Sequence, residues 1–307
     1  MRVAVVGAGG IGSVFGGRLA ADGHEVWLVH RRVEHVDALR QHGLLLDGPH
    51  GREQIAVHAT GDTNEIGTVD LILVLTKAND THSAAEASRP LVGAKTTVVT
   101  LQNGLGNFEM LGEVLGVERV IVGMTYHGAS LDAPGRVRHT AAGQTFIGEP
   151  DGPVSERVQN IAQAFTQAGI HTEVTDRLWS MVWGKLIVNA ALNPSCALTS
   201  ASGTEVLASR SLREFVGTVA RECARVAAAL AIELPYPDAA VRVWQHCQTI
   251  QSAKPSMLQD LERGRPTEID TINGAIVRAG TECGVPTPLN QALLLLVKAR
   301  EDIARSR

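Results

Sequence analysis

The stretch RVAVVGAGGIG, residues 2–12, decides the fold of this chain. A short valine-rich run is followed at once by glycines at positions 7, 9 and 12, and residues 12–22 have a helical pattern. In such a strand-turn-helix the first glycine permits the turn, the second lets a pyrophosphate approach the backbone, and the third lets helix and strand pack closely. We therefore predict a dinucleotide-binding loop made of Gly7, Ala8, Gly9, Gly10, Ile11 and Gly12. The alternative is a glycine-rich turn with no ligand.

The rest of the chain extends this beginning into two domains. Apolar runs at 25–29, 69–75, 96–101 and 119–124 are typical of strands covered on both faces of a parallel sheet. Shorter alternating strands are predicted around 135–148, and from about 176 the pattern is almost wholly helical. We predict an α/β protein with an N-terminal Rossmann-type parallel sheet domain, residues 1–172, followed by an all-helical domain, residues 173–307.

Composition narrows the function classes. The 307 residues are 44% hydrophobic and 20% charged, as in an ordinary globular protein, and a net charge of -4 gives no electrostatic support for nucleic-acid binding. No stretch approaches the ~18 apolar residues of a membrane span, so we expect a cytoplasmic protein. The four cysteines form no Cys-x-x-Cys pair, so no metal site is expected. We carry a homodimer forward as an expectation to be tested.

The end of the second strand indicates which dinucleotide is bound. An NAD-binding loop usually has an acidic residue there, whereas this chain has His30, Arg31 and Arg32. Because guanidinium groups form charge-assisted bonds to a 2′-phosphate, we predict NADP(H), with Arg31 as the better candidate. The alternative is that both arginines are solvated surface charges.

Two further residues follow predicted strands, at the edge where open α/β sheets bind ligands. Lys77 follows the strand at 69–75, and Asn103, in NGLGN at 103–107, follows the strand at 96–101. We predict that both lie beside the cofactor, and that Asn103 bonds the nicotinamide ribose or the substrate. A simple Asn-Gly turn is the alternative for 103–107.

A polar stripe interrupts an apolar helix predicted to begin after Asp176. Lys185, Asn189 and Asn193 are spaced i, i+4, i+8 and share one face, and Pro194 is expected to close or kink the helix. A desolvated lysine has a lowered pKa, which makes it a proton donor near neutral pH. An interdomain hydrogen-bond network is the alternative.

The segment KPSMLQDLERGRPTEIDTINGA, residues 254–275, predicts two helix starts. Ser256 and Gln259 have capping-box spacing, and Thr267 with Asp270 gives a looser version. From the residues alone, Ser256 is as consistent with a cap as with a ligand contact, and Glu268 with a favourable charge at a helix N-terminus.

Taken together, the glycine loop, LTKA around Lys77, LQNGLGN, WGKLIVNAALNP and SMLQDLERGRPTEIDTINGA resemble the ketopantoate reductase family, over the whole chain. The resemblance implies NADPH-dependent reduction of 2-dehydropantoate (ketopantoate) to pantoate in pantothenate biosynthesis. It implies that Lys185 protonates the 2-oxo oxygen and that Glu268 helps to hold substrate and cofactor. Substrate contacts are implied for Asn103, Asn189, Asn193 and Ser256, and cofactor contacts for Lys77 and Asn103.

One position departs from the family pattern. Where some members carry a further substrate-contacting asparagine, this chain has Ser202 and Gly203. Two alternatives therefore stand beside ketopantoate reduction: a paralogue acting on another small 2-oxo acid, and a non-catalytic NADP-binding sensor.

Overall fold

The computed structural model describes residues 1–49 and 51–306, which form two compact units. The first unit contains Met1–Gln102 and Asn107–Leu178, and the second contains Asn103–Gly106 and the chain from Trp179 onward. The predicted fold class, a parallel sheet domain followed by a helical domain, is confirmed. The predicted boundary at 172/173 falls inside a strand of the first unit, so the division in the structure comes later in the chain.

The first unit contains two sheets. The strands are β1 Arg2–Val6, β2 Glu25–Val29, β3 Leu44–Gly48, β4 Gly51–Ile55, β5 His58–Thr60, β6 Val69–Val74, β7 Val92–Thr100, β8 Val120–Thr125, β9 Gly128–Ala133, β10 Arg136–Ala141, β11 Thr145–Gly148 and β12 Thr172–Val174. The large sheet has the order β12-β11-β8-β7-β6-β1-β2-β5, and the small sheet has the order β4-β3-β10-β9. β11 pairs antiparallel with β8 and parallel with β12, which extends the sheet beyond its parallel part.

Crossover helices connect and cover the parallel strands. They are α1 Gly10–Ala21, α2 Val33–His42, α3 Thr81–Ser88, α4 Asn107–Leu115 and α5 Glu156–Gln167. β1 lies between β2 and β6 and is buried from Val3 to Val6, because both faces of a parallel sheet are covered. This places the carboxyl ends of β1, β2, β6 and β7, and the residues that follow them, along one edge.

The second unit is a helical assembly around one apolar core. Its helices are α6 Leu178–Thr199, α7 Gly203–Ala208, α8 Arg210–Ala229, α9 Ala239–Ile250, α10 Ser256–Glu262, α11 Asn273–Cys283 and α12 Pro288–Arg305. Most of α6 is buried in that core, including Trp183, Ile187 and Leu192. Across residues 1–49 and 51–306, no helix has the length and apolarity needed to span a bilayer.

Candidate functional site

The glycine loop of the first unit has the geometry that a pyrophosphate needs. Gly7 has φ +97°, and a Cβ there would collide with the backbone of Thr76. A Cβ at Gly12 would collide with the Gly7 carbonyl, so the loop and α1 pack too closely for a side chain. At Gly9, by contrast, a Cβ would meet nothing within 4 Å. The helix α1 begins with neither a side-chain cap nor an acidic residue in its first turn. The open space over Gly9, at the positive end of a helix, fits a dinucleotide phosphate.

A buried histidine that the sequence did not reveal supports this loop. His35 is 1% exposed; its Nδ1 accepts from the Gly135 backbone N–H at 2.9 Å, and its Nε2 lies 3.1 Å from the Ala8 carbonyl oxygen. Because the first contact requires an unprotonated Nδ1, the ring proton is on Nε2 and is donated to Ala8. Burial lowers the pKa of His35, which favours this neutral tautomer. Nothing in local sequence indicates this contact, because Gly135 is 100 residues away.

The predicted 2′-phosphate contact lies at the end of β2. The Arg31 side chain is 81% exposed and forms an ion pair with Asp80 at 3.2 Å. Such an exposed pair contributes about 0 to 1 kcal/mol, so it can be exchanged for a stronger bond to a phosphate. Lys77 is exposed and occupies the N-cap position of the short 3-10 helix Ala78–Asp80, three residues before Asp80 in the chain. Arg32 is also exposed, and it is the N-cap of α2.

The second unit brings three of the predicted residues together. Lys185 Nζ donates to Asn103 Oδ1 at 2.8 Å, and Asn103 Nδ2 donates to Glu268 Oε2 at 3.4 Å. Glu268 is 5% exposed and Lys185 is half-buried. One amide therefore links an ammonium group to a carboxylate.

The loop at 103–106 explains how Asn103 reaches this cluster. Gly104 has φ +85°, and a Cβ there would collide with Thr271. The backbone N–H of Leu105 donates to the Thr271 carbonyl oxygen at 2.9 Å. The same turn carries Glu268, whose carbonyl oxygen accepts from the N–H groups of Thr271 and Ile272. Residues 103–106 thus form a tight turn that also brings Asn103 to Lys185 and Glu268.

The environment of Lys185 suits a proton donor. Burial lowers its pKa to about 8, although the negative charge of Glu268 acts in the opposite direction. His246 on α9 lies close enough to interact electrostatically with Lys185, and burial lowers the pKa of His246 to about 4. His246 was missed in the sequence because α9 contributes it alone, without a recognisable motif.

The remaining polar residues of the predicted site have amide or hydroxyl groups available to a ligand. Asn189 is half-buried, Asn193 is 8% exposed and Ser256 is exposed. Their side chains have no hydrogen-bond partner within residues 1–49 and 51–306. The expectation that Ser256 belongs to a capping box is wrong, because Pro255 is the N-cap of α10 and Gln259 donates to the Lys254 carbonyl oxygen instead.

Two local expectations about helix ends are also corrected. Of the two outcomes expected at Pro194, closing of the helix is wrong, because α6 continues to Thr199 and its residues on both sides of the proline belong to one core. No helix begins at Thr267, whose hydroxyl accepts from the Ile269 N–H in a turn, and α11 starts only at Asn273. Glu268 is consequently held in a turn rather than at a helix N-terminus.

No group of three or more metal-ligating side chains occurs within the part of the chain that the structure describes. The first unit has an open loop at the N-terminus of α1 that fits a dinucleotide phosphate. The second unit has a desolvated lysine that is linked to a carboxylate through the Asn103 amide. These features define the protein class as a nicotinamide-dependent oxidoreductase.

The sequence pattern of the family "Ketopantoate reductase PanE/ApbA" matches residues 3–152, and that of its C-terminal domain matches residues 177–301. The chain belongs to the ketopantoate reductase family, as its motifs predicted. It is 35% identical to a 2-dehydropantoate 2-reductase of Archaeoglobus fulgidus over 98% of both chains, and 34% identical to that of Pyrococcus horikoshii, covering 99% of this chain and 98% of the relative.

Solved structures of relatives share the fold along the whole chain. A PanE/ApbA family ketopantoate reductase from Ralstonia eutropha JMP134 has a TM-score of 0.92 and 35% identity, covering 99% of this chain and 100% of that one. D-Mandelate dehydrogenase, solved with NADH and anilino(oxo)acetate, has a TM-score of 0.91 and 30% identity, with 99% of both chains covered. Structures very similar to this chain therefore include a ketopantoate reductase and a D-mandelate dehydrogenase, the latter solved with NADH.

Proposed function

We propose that this chain catalyses the NADPH-dependent reduction of ketopantoate to pantoate, a step of pantothenate biosynthesis. The observation that carries the proposal is the Lys185 ammonium group, bonded to Asn103 at 2.8 Å and with a pKa lowered to about 8. Relatives named 2-dehydropantoate 2-reductase, similar over nearly their full length, support the choice of substrate.

The chemistry needs a positioned proton donor. When bound, NADPH supplies the hydride that adds to the carbonyl carbon of a 2-oxo acid. Negative charge then develops on the carbonyl oxygen, and Lys185 Nζ stabilises that charge and gives up its proton. Asn103 holds the ammonium group in one orientation, because its amide oxygen accepts a hydrogen bond from it.

Glu268 maintains the charge of the donor. Its carboxylate raises the pKa of Lys185 against the larger effect of burial, so the lysine is still protonated near neutral pH. Asn189, Asn193 and Ser256 offer the amide and hydroxyl groups that a hydroxylated 2-oxo acid requires. We propose that these three residues bind the substrate.

The proposal of NADPH rather than NADH depends on Arg31. The guanidinium group lies at the end of β2, where NAD-binding sheets carry a carboxylate, and its partner Asp80 is a partly exposed and exchangeable acceptor. The Gly9 opening and the first turn of α1 would hold the pyrophosphate.

A substrate panel tests the proposal. The turnover of ketopantoate and of several other small 2-oxo acids is measured, first with NADPH and then with NADH, from the decrease in absorbance of the reduced nicotinamide. We expect the highest kcat/KM for ketopantoate with NADPH. A clearly higher value for another 2-oxo acid assigns the chain to a different substrate, and a preference for NADH removes the role proposed for Arg31.

The second candidate, reduction of a different 2-oxo acid, is favoured by one specific observation. Ser202 stands where some family members have a substrate-contacting asparagine, and here it forms a complete capping box with Glu205 at the start of α7. Its hydroxyl is used locally, which removes one polar contact from a substrate. The similarity to D-mandelate dehydrogenase supports testing aryl 2-oxo acids in the panel.

The third candidate, a non-catalytic sensor, predicts tight NADPH binding without turnover of any 2-oxo acid. The Lys185 cluster argues against it, because a sensor has no need of a proton donor. A cytoplasmic location and a homodimer stay predictions, to be checked by fractionation and by light scattering.

A further inference from the structure

A proline within α6 leaves one carbonyl group without its helical hydrogen-bond donor, and a side chain of another helix supplies that donor. Pro194 has no backbone N–H, so the carbonyl group of Ala190 cannot receive the usual helical hydrogen bond. Ala190 is fully buried, and water cannot replace that donor. Asn273, the first residue of α11, donates its side-chain Nδ2 to the Ala190 carbonyl oxygen at 3.0 Å.

The Asn273 amide acts through its donor group. Its Nδ2 also donates to Asn290 Oδ1 at 2.9 Å, while its Oδ1 is buried without a hydrogen-bond partner among residues 1–49 and 51–306. Both hydrogens of Nδ2 are therefore used, and Oδ1 contributes no bond. The position needs a double donor, which leucine, though similar in size, cannot supply.

A carboxylate at the other end of this chain of bonds fixes its direction. Glu222 on α8 accepts from Asn290 Nδ2 at 2.8 Å and from the backbone N–H groups of Asn290 and Leu289, at 2.9 and 3.2 Å. Because a carboxylate is an acceptor, the Asn290 amide must turn its nitrogen toward Glu222 and its oxygen toward Asn273. That oxygen in turn orients the Asn273 nitrogen toward Ala190. We call Glu222, Asn290, Asn273 and the Ala190 carbonyl the amide relay.

The relay ends at the turn of α6 that carries two proposed substrate contacts. Asn189 directly precedes Ala190, and Asn193 directly precedes Pro194. The relay residues are buried, with Asn273 and Asn290 at 0% and Glu222 at 2% exposure, so the relay itself does not offer groups to solvent.

We propose that Asn273 is a positioning residue for the reduction. Through its bond to the Ala190 carbonyl, the amide relay fixes the turn of α6 in which Pro194 removes a helical hydrogen bond. This turn carries Asn189 and Asn193, and fixing it orients both side chains toward the substrate. This inference rests on the proposed function, because it assigns the two asparagines to substrate binding.

A double-mutant cycle tests the relay. Asn273→Leu removes the donor, while Pro194→Ala returns a backbone N–H that can bond to Ala190. In the otherwise unchanged protein we expect Asn273→Leu to raise KM for the 2-oxo acid about 10-fold, the scale of one lost buried hydrogen bond, with a smaller change in kcat and unchanged NADPH affinity. In the Pro194→Ala background the same substitution should raise KM about 2-fold or less, since Ala190 has regained a donor.

The urea unfolding midpoint is measured for the same four proteins, and Thr281→Val is the matched control. Thr281 donates from its hydroxyl to the Val277 carbonyl oxygen on the exposed face of α11, so its loss should show no coupling to Pro194. If Asn273→Leu does not fold alone, Asn273→Ala replaces it in both backgrounds.

Equal effects of the Asn273 substitution on KM in both backgrounds would overturn the proposal. So would coupling in the unfolding midpoint without any coupling in KM, because the relay would then be structural alone. If the unsubstituted protein reduces no 2-oxo acid, the proposed function fails, and the positioning role of Asn273 fails with it. The double-mutant cycle in the urea unfolding midpoint still reports whether Asn273 replaces the missing helical donor.

Discussion

Replacing Glu268 with glutamine tests whether its charge controls the proton on Lys185. Asn103 bonds both residues through one amide, at 2.8 and 3.4 Å. These two hydrogen bonds through one amide bring the carboxylate within about 8 Å of the ammonium group, and at an effective dielectric constant of about 20 a unit charge at that distance contributes about 2 kcal/mol. That energy corresponds to about 1.5 pKa units before solvent screening, and about one unit after it. We therefore expect the pKa of Lys185 to fall from about 8 to about 7 in Glu268→Gln.

The pH profile of kcat/KM for 2-oxo acid reduction measures this shift. The protonated lysine is the proton donor, so activity is present below the pKa and is lost above it, about ten-fold per pH unit. The midpoint of that loss should lie near pH 8 in the unsubstituted protein and about one unit lower in the variant. At pH 8 the variant would then hold about one-fifth as much protonated lysine.

A nearby carboxylate provides the control. Asp270 lies two residues along the chain, is half-exposed and is paired with Lys298 at 2.7 Å, so Asp270→Asn should leave the midpoint in place. A general fall in activity does not decide the question, because Glu268 is also a proposed ligand contact. An unchanged or higher midpoint in Glu268→Gln would refute the electrostatic reasoning.

The remaining predictions concern three residues. Lys185→Ala should lower turnover about 100-fold or more, the usual scale for a general acid, while NADPH titrations remain nearly unchanged; undiminished turnover would remove Lys185 from its role. Arg31→Ala should weaken NADPH binding about 10-fold or more and leave NADH binding unaltered. Arg89 is an exposed arginine paired with Glu86, so the control Arg89→Ala should change the binding of neither cofactor. Equal losses of NADPH and NADH binding in Arg31→Ala would disprove recognition of the 2′-phosphate. His35→Phe leaves the Ala8 carbonyl and the Gly135 N–H buried without their partner, so urea denaturation should show a loss of about 2 to 6 kcal/mol; a loss under about 0.5 kcal/mol would contradict the assigned hydrogen bonds.

The sequence was most informative where a local rule controls the structure. The glycine loop was predicted because backbone sterics at Gly7 and Gly12 depend on immediate neighbours in a strand-turn-helix unit. The polar stripe on α6 was predicted because 3.6 residues per turn place Lys185, Asn189 and Asn193 on one face. Motif likeness added Glu268 and Ser256, whose local context alone did not separate a ligand contact from a capping role.

What the tertiary structure decided was the pairing of groups far apart in the chain. Asn103 is 82 residues from Lys185 and 165 from Glu268. It belongs to the helical unit, where the backbone of its loop bonds to Thr271. Ala190 and Asn273 are 83 residues apart, and a proline that locally predicts a helix end lies inside a continuous helix because a buried amide supplies the missing donor. Sequence determines what each residue can donate, accept or sterically permit. Burial and long-range contacts determine which partner it meets, and therefore the lowered pKa of Lys185.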